Sequence, residues 1–345
     1  MNGSEPYMFN PYYALALDPI HVGTGGYRLG EVDLTIVREP GTNVPKIPGS
    51  SLAGAARAYT AMATDHYRRY NEKKGKYVSC AGKGGEDGSE HCGEIDCPVC
   101  VTYGFTIGPE NRSFHGLAQF YDAQVLFFPI HTMVGPVWVT SPSILEDAGY
   151  KPLEGQISLE NKVQIVPKLV DKPDGDRRWG LNLGWLFLDV VDDNLDAEAI
   201  WRDLRLPEGL EQVRQRLVLV PDKLFSLVVN SNLETRTSVS IDPDTGAAEE
   251  GALFTYEALP RGVVLRFPMV YHNPQHYAFP VRENGNVKAT PFSDTQDIEW
   301  VKKNVESGLR LMEHLGVGGM NTRGFGRLRI LNLPPEKPKE GGTDA

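Results

Sequence analysis

Hydrophobic and polar positions alternate along several stretches of the chain, in the pattern that is typical of half-buried strands. The first stretch is YYALALDP at 12–19, and VDLTIVRE at 32–39 is a second extended segment. A long β-ribbon is predicted over 236–271, because DPDTG at 242–246 is a turn flanked by β-branched residues. Further strands are predicted in 116–130, 134–142 and 179–191. The pattern therefore predicts a chain rich in strands.

A first helix is predicted after the proline-rich link that ends at Pro48. Ser50 or Ser51 is expected to cap it, since a serine hydroxyl accepts hydrogen bonds from the free amides at a helix start. Its predicted inward face carries Leu52, Ala56, Tyr59 and Ala63. A short amphipathic segment is predicted at 210–220, whereas 150–185 is polar and irregular.

The last helix, over 293–316, has the clearest pattern in the chain. Ser293 and Gln296 match a capping box, and Gly316 is expected to end the helix. Its predicted buried face consists of Ile298, Val301, Val305, Leu309 and Met312. The segment leads into a glycine loop and an alternating terminal strand, so this helix is expected to pack on a core.

Composition and charge narrow the class of protein. With 345 residues, 41% hydrophobic and 23% charged, the chain is expected to be an ordinary soluble globular protein. Its apolar runs are shorter than a membrane span, and no basic stretch with an apolar core opens the sequence, so we expect a cytoplasmic protein with no membrane partner. A net charge of −10 implies that any nucleic acid is bound by local groups rather than by bulk attraction.

All of the cysteines lie in one short glycine-rich segment, CAGKGGEDGSEHCGEIDCPVC. Thiolates are ligands that suit tetrahedral zinc, and the CPVC knuckle supplies two of them. A full shell of four protein ligands leaves no position for catalysis, so the predicted zinc is structural. His91 is an alternative ligand, and two disulfides in a secreted protein are the competing interpretation. The predicted ligands are Cys80, Cys92, Cys97 and Cys100.

Two glycine loops carry the other candidate chemistry. The loop GVGGMNTRGFGRLRI at 316–330 holds Arg323 and Arg327, and exposed amides with arginine charge suit phosphate binding. A simple tight turn explains its glycines equally well. The loop GTGGYRLG at 23–30 lacks the spacing of a dinucleotide site and the lysine of a P-loop, so a nucleotide-binding enzyme is a weak hypothesis.

Together these stretches resemble the RAMP superfamily, most closely the repeated backbone subunit of type III CRISPR effector complexes, of the Cmr type or its Csm counterpart. The resemblance spans 20–330, and GPVWVTSP favours the Cmr form. It is carried, in the family's order, by IHVGTGG with GEVDLTIVRE and PKIPGSSLAGAAR, by CPVCVTYGF, by SVSIDPDTGAAEEGALFTYEALPRG and by GVGGMNTRGFGRLRI.

The resemblance implies an α+β fold: a modified ferredoxin-like palm, with the RNA-recognition-motif topology, over 1–335. A zinc-binding insertion is expected at 71–105 and a disordered tail at 336–345. The ribbon at 236–271 is the candidate thumb hairpin, with 143–200 as the alternative. The implied partners are a guide CRISPR RNA, a complementary target RNA, neighbouring copies of the chain and other type III effector subunits.

The same resemblance aligns Asp33 with the family's catalytic aspartate, which cuts target RNA where the thumb splays a base. The attacking group is the RNA's own 2′-hydroxyl, and Asp33 is expected to act as base or as ligand of a divalent cation such as magnesium. His21 is expected to contact RNA or to assist proton transfer. Without the resemblance, a turn-capping role for Asp33 is favoured, and a loop-carbonyl contact is equally plausible for His21.

The expected RNA-binding residues are Gly23, Gly25, Gly26, Arg28, Lys46, Ser50, Ser51, Arg57, Gly318, Gly319, Asn321, Arg323 and Arg327. One position departs from the family, because Ala53 stands where its members usually carry a lysine that meets the guide backbone. Two other hypotheses stay open at this point. One is a structural subunit of the same family that binds guide RNA without cutting, and the other is an unrelated zinc-stapled β-rich enzyme that acts on a small molecule.

Overall fold

A computed structural model of the chain describes residues 5–25, 32–72, 75–151, 159–175, 178–248 and 253–335. The expected tail at 336–345 and the candidate residues Gly26 and Arg28 lie outside these residues. No helix in the described ranges is long and apolar enough to cross a membrane.

The strands of the described residues are β1 Tyr7–Ala16, β2 Lys46–Ile47, β3 Arg69–Asn71, β4 Lys76–Val78, β5 Phe105–Ile107, β6 Arg112–Phe114, β7 Ala118–Phe120, β8 Ala123–Thr132, β9 Gly135–Thr140, β10 Val163–Ile165, β11 Gly180–Leu183, β12 Leu186–Asp192, β13 Leu217–Leu219, β14 Glu234–Ser238, β15 Phe254–Ala258, β16 Val264–His272, β17 Ala278–Glu283, β18 Asn286–Pro291 and β19 Leu328–Ile330. The helices are α1 Gly49–Ala63, α2 Pro98–Tyr103, α3 Pro142–Ala148, α4 Ala197–Leu204, α5 Glu211–Gln215, α6 Asp222–Ser231 and α7 Ile298–Leu315.

A large mixed sheet organises the described part of the chain. Its strand order is β11-β12-β10-β13-β9-β8-β16-β1-β19, with β2 paired to β8 and β7 paired to β16. The run β8-β16-β1-β19 is antiparallel throughout, whereas β9 pairs with β13 in parallel. The α+β class predicted from the sequence is therefore confirmed.

Helices cover both faces of this sheet. Successive strand residues point to opposite faces, and Tyr12 of β1 packs in the cluster that includes α1 and α7, while Tyr13 packs with α3, α4 and α5. The α1–α7 contact is close at Gly308, where an added Cβ would lie 2.4 Å from the carbonyl oxygen of Ala56. A glycine is needed there because any larger residue would push the two helices apart.

The predicted ribbon at 236–271 is wrong in its second half. Strand β14 pairs with β15 in a two-stranded hairpin, but β16 lies in the large sheet between β1 and β8. Residues 264–272 alternate between more and less buried positions, and side chains alternate between two faces in a ribbon and in a large sheet alike, so the pattern fits either arrangement. The alternative thumb segment, 143–200, instead contributes β10, β11 and β12 to the large sheet.

Both predicted helix starts need correction. Helix α1 begins at Gly49 after Pro48, without a side-chain cap, and Asp122 accepts the amide of Gly49 at 2.8 Å. Ser50 and Ser51 therefore lie inside its first turn. Helix α7 begins after Asp297, whose carboxylate accepts the amide of Trp300 at 2.8 Å.

Ser293 and Gln296 bond to each other in the turn that precedes α7, so the predicted capping pair lies before the helix and does not cap it. The stop at Gly316 is confirmed. The inward face predicted for α7 is also confirmed at Val301, Val305 and Leu309. In α1, the exposed Ala63 is outside the buried face, which Thr60 completes instead.

The segment 32–39 was predicted as extended and forms isolated bridges rather than a strand. Leu34 bridges Tyr256, Ile36 bridges Gly23, and Arg38 bridges Pro45. The segment is thus extended, but each of its neighbours comes from a different part of the chain. That arrangement lets it follow the hairpin β14–β15 on one side and the first glycine loop on the other.

Candidate functional site

The candidate site lies along one edge of β15, the edge that does not pair with β14. The amide of Leu34 donates to the carbonyl of Thr255 at 3.1 Å, and the amide of Glu257 donates to the carbonyl of Leu34 at 3.0 Å. Further along the same edge, Ile20 and Leu259 exchange two backbone bonds of 2.9 Å. The segments that carry His21 and Asp33 are therefore both held by the second strand of the hairpin.

Asp33 is half-buried and bonded to Thr255. Its Oδ2 accepts the Thr255 amide at 2.7 Å and the Thr255 hydroxyl at 3.0 Å. These hydrogen bonds, the backbone one first, hold the pKa of the Asp33 carboxyl below its ordinary value, so the group is ionised at neutral pH. Among the described residues Oδ1 has no hydrogen-bond partner, which leaves an anionic oxygen for a ligand.

His21 is buried and oriented by a backbone carbonyl. Its Nδ1 lies 2.6 Å from the carbonyl oxygen of Glu257. A carbonyl only accepts, so Nδ1 carries a proton and donates this bond. The Glu257 carboxylate is bonded in turn to Arg38 at 2.9 Å. The loop-carbonyl contact expected as one alternative for His21 is therefore present, and it fixes the ring.

The second glycine loop packs directly on His21. The amide of Gly319 donates to the His21 carbonyl at 2.8 Å. At Gly318, φ is +85° and an added Cβ would lie 2.4 Å from the same carbonyl oxygen, so only glycine fits there. The two glycine loops, almost 300 residues apart in sequence, are thus neighbours at one site.

Arginine and aromatic side chains surround this junction. Arg327 forms a bidentate pair with Asp18, with Nη2 3.1 Å from Oδ1. The hydrogen bond from Arg327 is the main cause that lowers the pKa of Asp18, and the charges of Arg261 and Arg236 add to it. Arg236 lies 4.7 Å above the Phe325 ring and Arg323 lies 5.9 Å above the Phe254 ring. The junction therefore presents several positive charges over aromatic faces.

Lys46 and Arg57, two of the residues expected to contact RNA, form hydrogen bonds within the chain instead. Lys46 bonds to the carboxylates of Glu39 and Asp122, both at 2.7 Å, and these bonds raise its pKa. Arg57 donates to the carbonyls of Cys80 at 2.7 Å and Gly104 at 2.9 Å, so it ties α1 to the cysteine segment. Asp122 accepts the amide of Gly49, so a carboxylate already occupies the start of the helix that holds Ser50 and Ser51, where an RNA phosphate was expected.

The four cysteines form one buried cluster. The Sγ atom of Cys80 lies 3.5 Å from the Sγ of Cys92, 3.9 Å from that of Cys97 and 3.6 Å from that of Cys100. A tetrahedron with Zn–S bonds of about 2.3 Å has edges of about 3.8 Å, which these separations match. A disulfide needs about 2.05 Å, so the two-disulfide alternative does not hold.

His91 lies outside the cysteine cluster. Its Nε2 is 3.0 Å from Arg57 Nη2 and 2.9 Å from the Gly82 carbonyl oxygen. Burial is the main cause that lowers its pKa. Within the cluster, hydrogen bonds from Cys100 lower the pKa of Cys80, and the crowded sulfurs cannot all ionise without a cation between them.

The profile of the RAMP superfamily matches residues 14–329, most of the chain. The chain belongs to the RAMP superfamily. Its similar proteins include the CRISPR system Cmr endoribonuclease Cmr4 of Pyrococcus furiosus, 24% identical over 341 residues, which cover 95% of this chain and 96% of that protein. The membership that the sequence motifs indicated, and the preference for Cmr relatives, are confirmed.

Solved structures of Cmr proteins share the fold of this RAMP chain. A chain of the type III-B Cmr-beta complex bound to cognate target RNA superposes with a TM-score of 0.58 at 17% identity, over 95% of this chain and 99% of that one. Oligomeric Cmr4 from Pyrococcus furiosus gives 0.52 at 18% identity, over 95% and 100%. At these identities the likeness establishes the common architecture.

Sequence reasoning missed the residues that position the site of this RAMP protein. Thr255 holds Asp33, Glu257 holds His21, and Arg236 lies over Phe325. Thr255 and Glu257 are alternate residues of β15, so both meet the same edge. The alternation of these strand residues was visible in the sequence. The sequence did not indicate that this edge of β15 would contact the loop of Asp33, some 220 residues away.

Proposed function

We propose that the chain is a backbone subunit of a type III CRISPR effector complex, which binds guide RNA and cleaves the paired target RNA at Asp33. The observation that carries this proposal is the ionised Asp33 carboxylate, held by Thr255 beside a hairpin and two glycine loops. The endoribonuclease name of the Cmr4 relative supports the reaction class. The effector assembly, and with it a place in the cytoplasm, are parts of the same proposal.

The palm is the ferredoxin-like unit β1-α1-β8-β16-α7-β19. Its sheet order β8-β16-β1-β19 places the first and third strands at the centre, as that fold requires, and both helices pack on one face. The hairpin β14–β15 is the thumb, so the thumb covers 234–258 rather than 236–271. Because β15 holds Asp33, a thumb that displaces a nucleotide of the target would bring the scissile phosphate to this carboxylate.

Asp33 suits ion binding better than proton abstraction. A base is most effective when its pKa lies near the working pH, and hydrogen bonds from Thr255 move this carboxyl the other way. A single carboxylate with RNA phosphate and water is a set that magnesium accepts. Bound there, a divalent cation would neutralise charge on the scissile phosphate. Asp33 would hold it through Oδ1, and His21 would help to position the RNA.

RNA binding is assigned to the junction of the two glycine loops. Gly23, Gly25, Gly318 and Gly319 expose backbone close to His21, and Arg323 brings charge without an ion-pair partner among the described residues. Arg236 joins this set because it lies over Phe325 in the same junction, where its Nε is paired with Glu234 at 2.6 Å and its exposed side chain remains within reach of RNA. Gly26, Arg28 and Asn321 stay expected contacts, while Lys46 and Arg57 are better explained by their intramolecular bonds.

The four cysteines hold one structural zinc in the segment after α1. The tetrahedral sulfur separations and the complete burial of the set support this assignment. With all four positions taken by sulfur, no open position exists for catalysis, so the zinc stabilises the insertion and has no role in cleavage.

The non-catalytic form of the same subunit is the second candidate. It is favoured by the two hydrogen bonds from Thr255 to Asp33, because an aspartate with a purely structural role in a turn makes bonds of the same kind. Assembly with companion subunits, guide and target separates the two. Asp33→Ala should leave guide retention and target capture unchanged and lower the cleavage rate about a hundredfold or more. Regular target cutting by this variant complex would refute cleavage at Asp33.

Two further arms complete this test. Chelation by EDTA should reproduce the loss if a divalent cation takes part, and added magnesium should restore it. His21→Ala should give a smaller defect, since its ring is bonded to the Glu257 carbonyl rather than offered to the phosphate. Absence of copurifying short RNA from the wild-type chain would instead favour an unrelated activity.

A further inference from the structure

The hairpin β3–β4 carries an exposed group of tyrosine and arginine side chains that the proposed site does not use. Tyr67, Tyr70 and Tyr77 are 46%, 57% and 58% exposed, far above what tyrosines in a core show. The guanidinium of Arg68 lies 5.0 Å above the Tyr77 ring. Tyr70 meets Tyr77 edge to face, with ring centroids 5.4 Å apart, and the exposed fraction of both side chains shows that much of each ring still contacts solvent. This set is called the tyrosine hairpin below.

The charge of this segment is opposite to that of the whole chain. Residues 66–78, HYRRYNEKKGKYV, include five lysines or arginines and one glutamate, whereas the chain has a net charge of −10. Arg69 is paired with Glu94 at 2.8 Å, but Arg68 makes no ion pair with any described residue. The segment is thus basic in sequence, and the Arg68 guanidinium is a described charge in it that suits an anion.

A groove of about 500 Å³ runs beside the hairpin. Tyr67, Arg68 and Tyr77 line it together with Gly82 and Glu90. The volume is in the range of small-ligand sites and suits one nucleotide. Open aromatic faces, an arginine and a narrow groove form the combination that binds unpaired bases by stacking and phosphates by charge.

This surface is separate from the Asp33 site. The hydroxyl of Thr60 donates to the carbonyl of Asn304, and a Cβ added at Gly308 would lie 2.4 Å from the carbonyl oxygen of Ala56, so α1 and α7 run in opposite directions. The C-terminal end of α7, which leads to the second glycine loop, therefore lies beside the earlier part of α1. The tyrosine hairpin follows the other end of α1, a helix of 15 residues that is about 22 Å long.

We infer that the tyrosine hairpin is a second RNA-binding surface, which takes single-stranded RNA by stacking bases on Tyr67, Tyr70 and Tyr77 with Arg68 on the backbone. Bases within a duplex are stacked on each other and cannot reach these rings, so the ligand is unpaired RNA. An acidic protein surface would satisfy the charge alone. The exposed tyrosine rings and the groove of one-nucleotide size beside them favour RNA, because a base stacks on a tyrosine ring while the groove takes its sugar and phosphate.

The test uses the full chain and a fluorescein-labelled oligouridine without complementarity to any guide. Tyr77→Ala should weaken binding about fivefold or more, the effect of losing one stacked base. Arg68→Gln should lower the slope of log affinity against log salt by about 0.7, the share of one phosphate contact on a single strand. Tyr7→Ala is the matched control: Tyr7 is 53% exposed and begins the ten-residue strand β1, whose far end leads to Asp18.

Photo-crosslinking locates the RNA without any variant. With 5-iodouridine in the oligonucleotide, crosslinked peptides should include residues of 67–79. Crosslinks confined to the two glycine loops, or unchanged affinity in both Tyr77→Ala and Arg68→Gln, would overturn the proposal. So would variants that alter only self-association in sedimentation, since the hairpin would then be a protein contact. Cleavage by the assembled complex is a different readout, so failure here leaves the Asp33 proposal standing.

Discussion

The loop that carries Asp33 and the cluster of four cysteines are both built from glycine-rich sequence, yet different interactions hold them. The cysteines are fully buried, and their sulfurs contact one another. Asp33 is half-exposed, and its described partner is Thr255, 222 residues away in sequence. The cluster is thus self-contained, whereas the Asp33 loop takes its shape from a hairpin that must already be in place.

This difference implies that the cysteine cluster serves the stability of the fold and the Asp33 loop serves the reaction. A closed set of sulfur ligands stabilises an insertion that has few apolar residues of its own, and it offers no group to a substrate. The Asp33 loop contributes little buried surface but offers a charged oxygen to solvent. Substitutions in the first region should therefore change folding, and substitutions in the second should change cleavage or RNA binding.

The largest expected effect is at the cysteine cluster. We expect close to one zinc per wild-type chain, and Cys97→Ser should remove it and lower the free energy of unfolding by several kcal/mol. Metal analysis and thermal unfolding measure both. Asp33→Ala is the control and should keep its zinc and melting temperature. A wild-type chain with no zinc and four free thiols would contradict the assignment.

Next in size is the contact between the glycine loop and His21. Gly318→Ala combines a positive φ with a Cβ 2.4 Å from the His21 carbonyl oxygen, so we expect a loss of roughly 2–4 kcal/mol in stability. Gly324→Ala has a similar φ of +81° but open space around its Cβ, and should cost about 1 kcal/mol. Equal losses in chemical denaturation would mean that the crowding at His21 has no effect.

The Thr255 hydroxyl should affect the reaction and not the fold. Thr255→Val keeps the shape and the backbone donor but removes one of the two bonds to Asp33 Oδ2. It also removes the hydroxyl oxygen that accepts the Asp33 amide at 3.1 Å, so we expect cleavage to fall about tenfold, as is common for groups that orient a ligand. Thr255→Ser retains the hydroxyl and should cleave at nearly the wild-type rate. If valine and serine behave alike in single-turnover assays, Thr255 does not position Asp33.

The smallest effect is expected at the two arginines of the second glycine loop. Arg327 is already paired with Asp18, whereas Arg323 has no acidic partner among the residues described. Arg323→Gln should lower the salt dependence of guide-RNA retention by a slope of about 0.7, and Arg327→Gln should change it less. A larger change in the Arg327 variant would show that Asp18 releases it to the RNA.

Features that depend on nearby residues were predicted better than features that depend on contacts between distant parts of the chain. The four clustered cysteines lie within one segment of the sequence, and the buried stripe of α7 repeats at helical spacing, so both were visible without a structure. The caps were misplaced because Asp122 and Asp297 supply bonds that Ser50 or Ser51, and Ser293, were expected to make. A short polar side chain can cap a helix from any nearby loop, and sequence spacing does not show which one will.

The candidate site was predicted only in outline. The two glycine loops and Asp33 were identified through family resemblance, but their junction depends on β15, which the sequence placed within an overlong ribbon. Strand alternation does not distinguish a projecting hairpin from a central strand such as β16. For Lys46 and Arg57, a positive charge suggested RNA contact, and only the folded chain revealed their internal partners.

The most direct test of the central claim is single-turnover target cleavage by a complex assembled with Asp33→Asn. Asparagine keeps an oxygen that can accept the Thr255 bonds, so the loop should hold its shape and lose only its charge. We expect normal zinc content, normal target capture and cleavage at least about a hundredfold slower at every regular position. Cleavage at the wild-type rate and spacing would contradict the assignment of Asp33 as the group that cuts the target RNA.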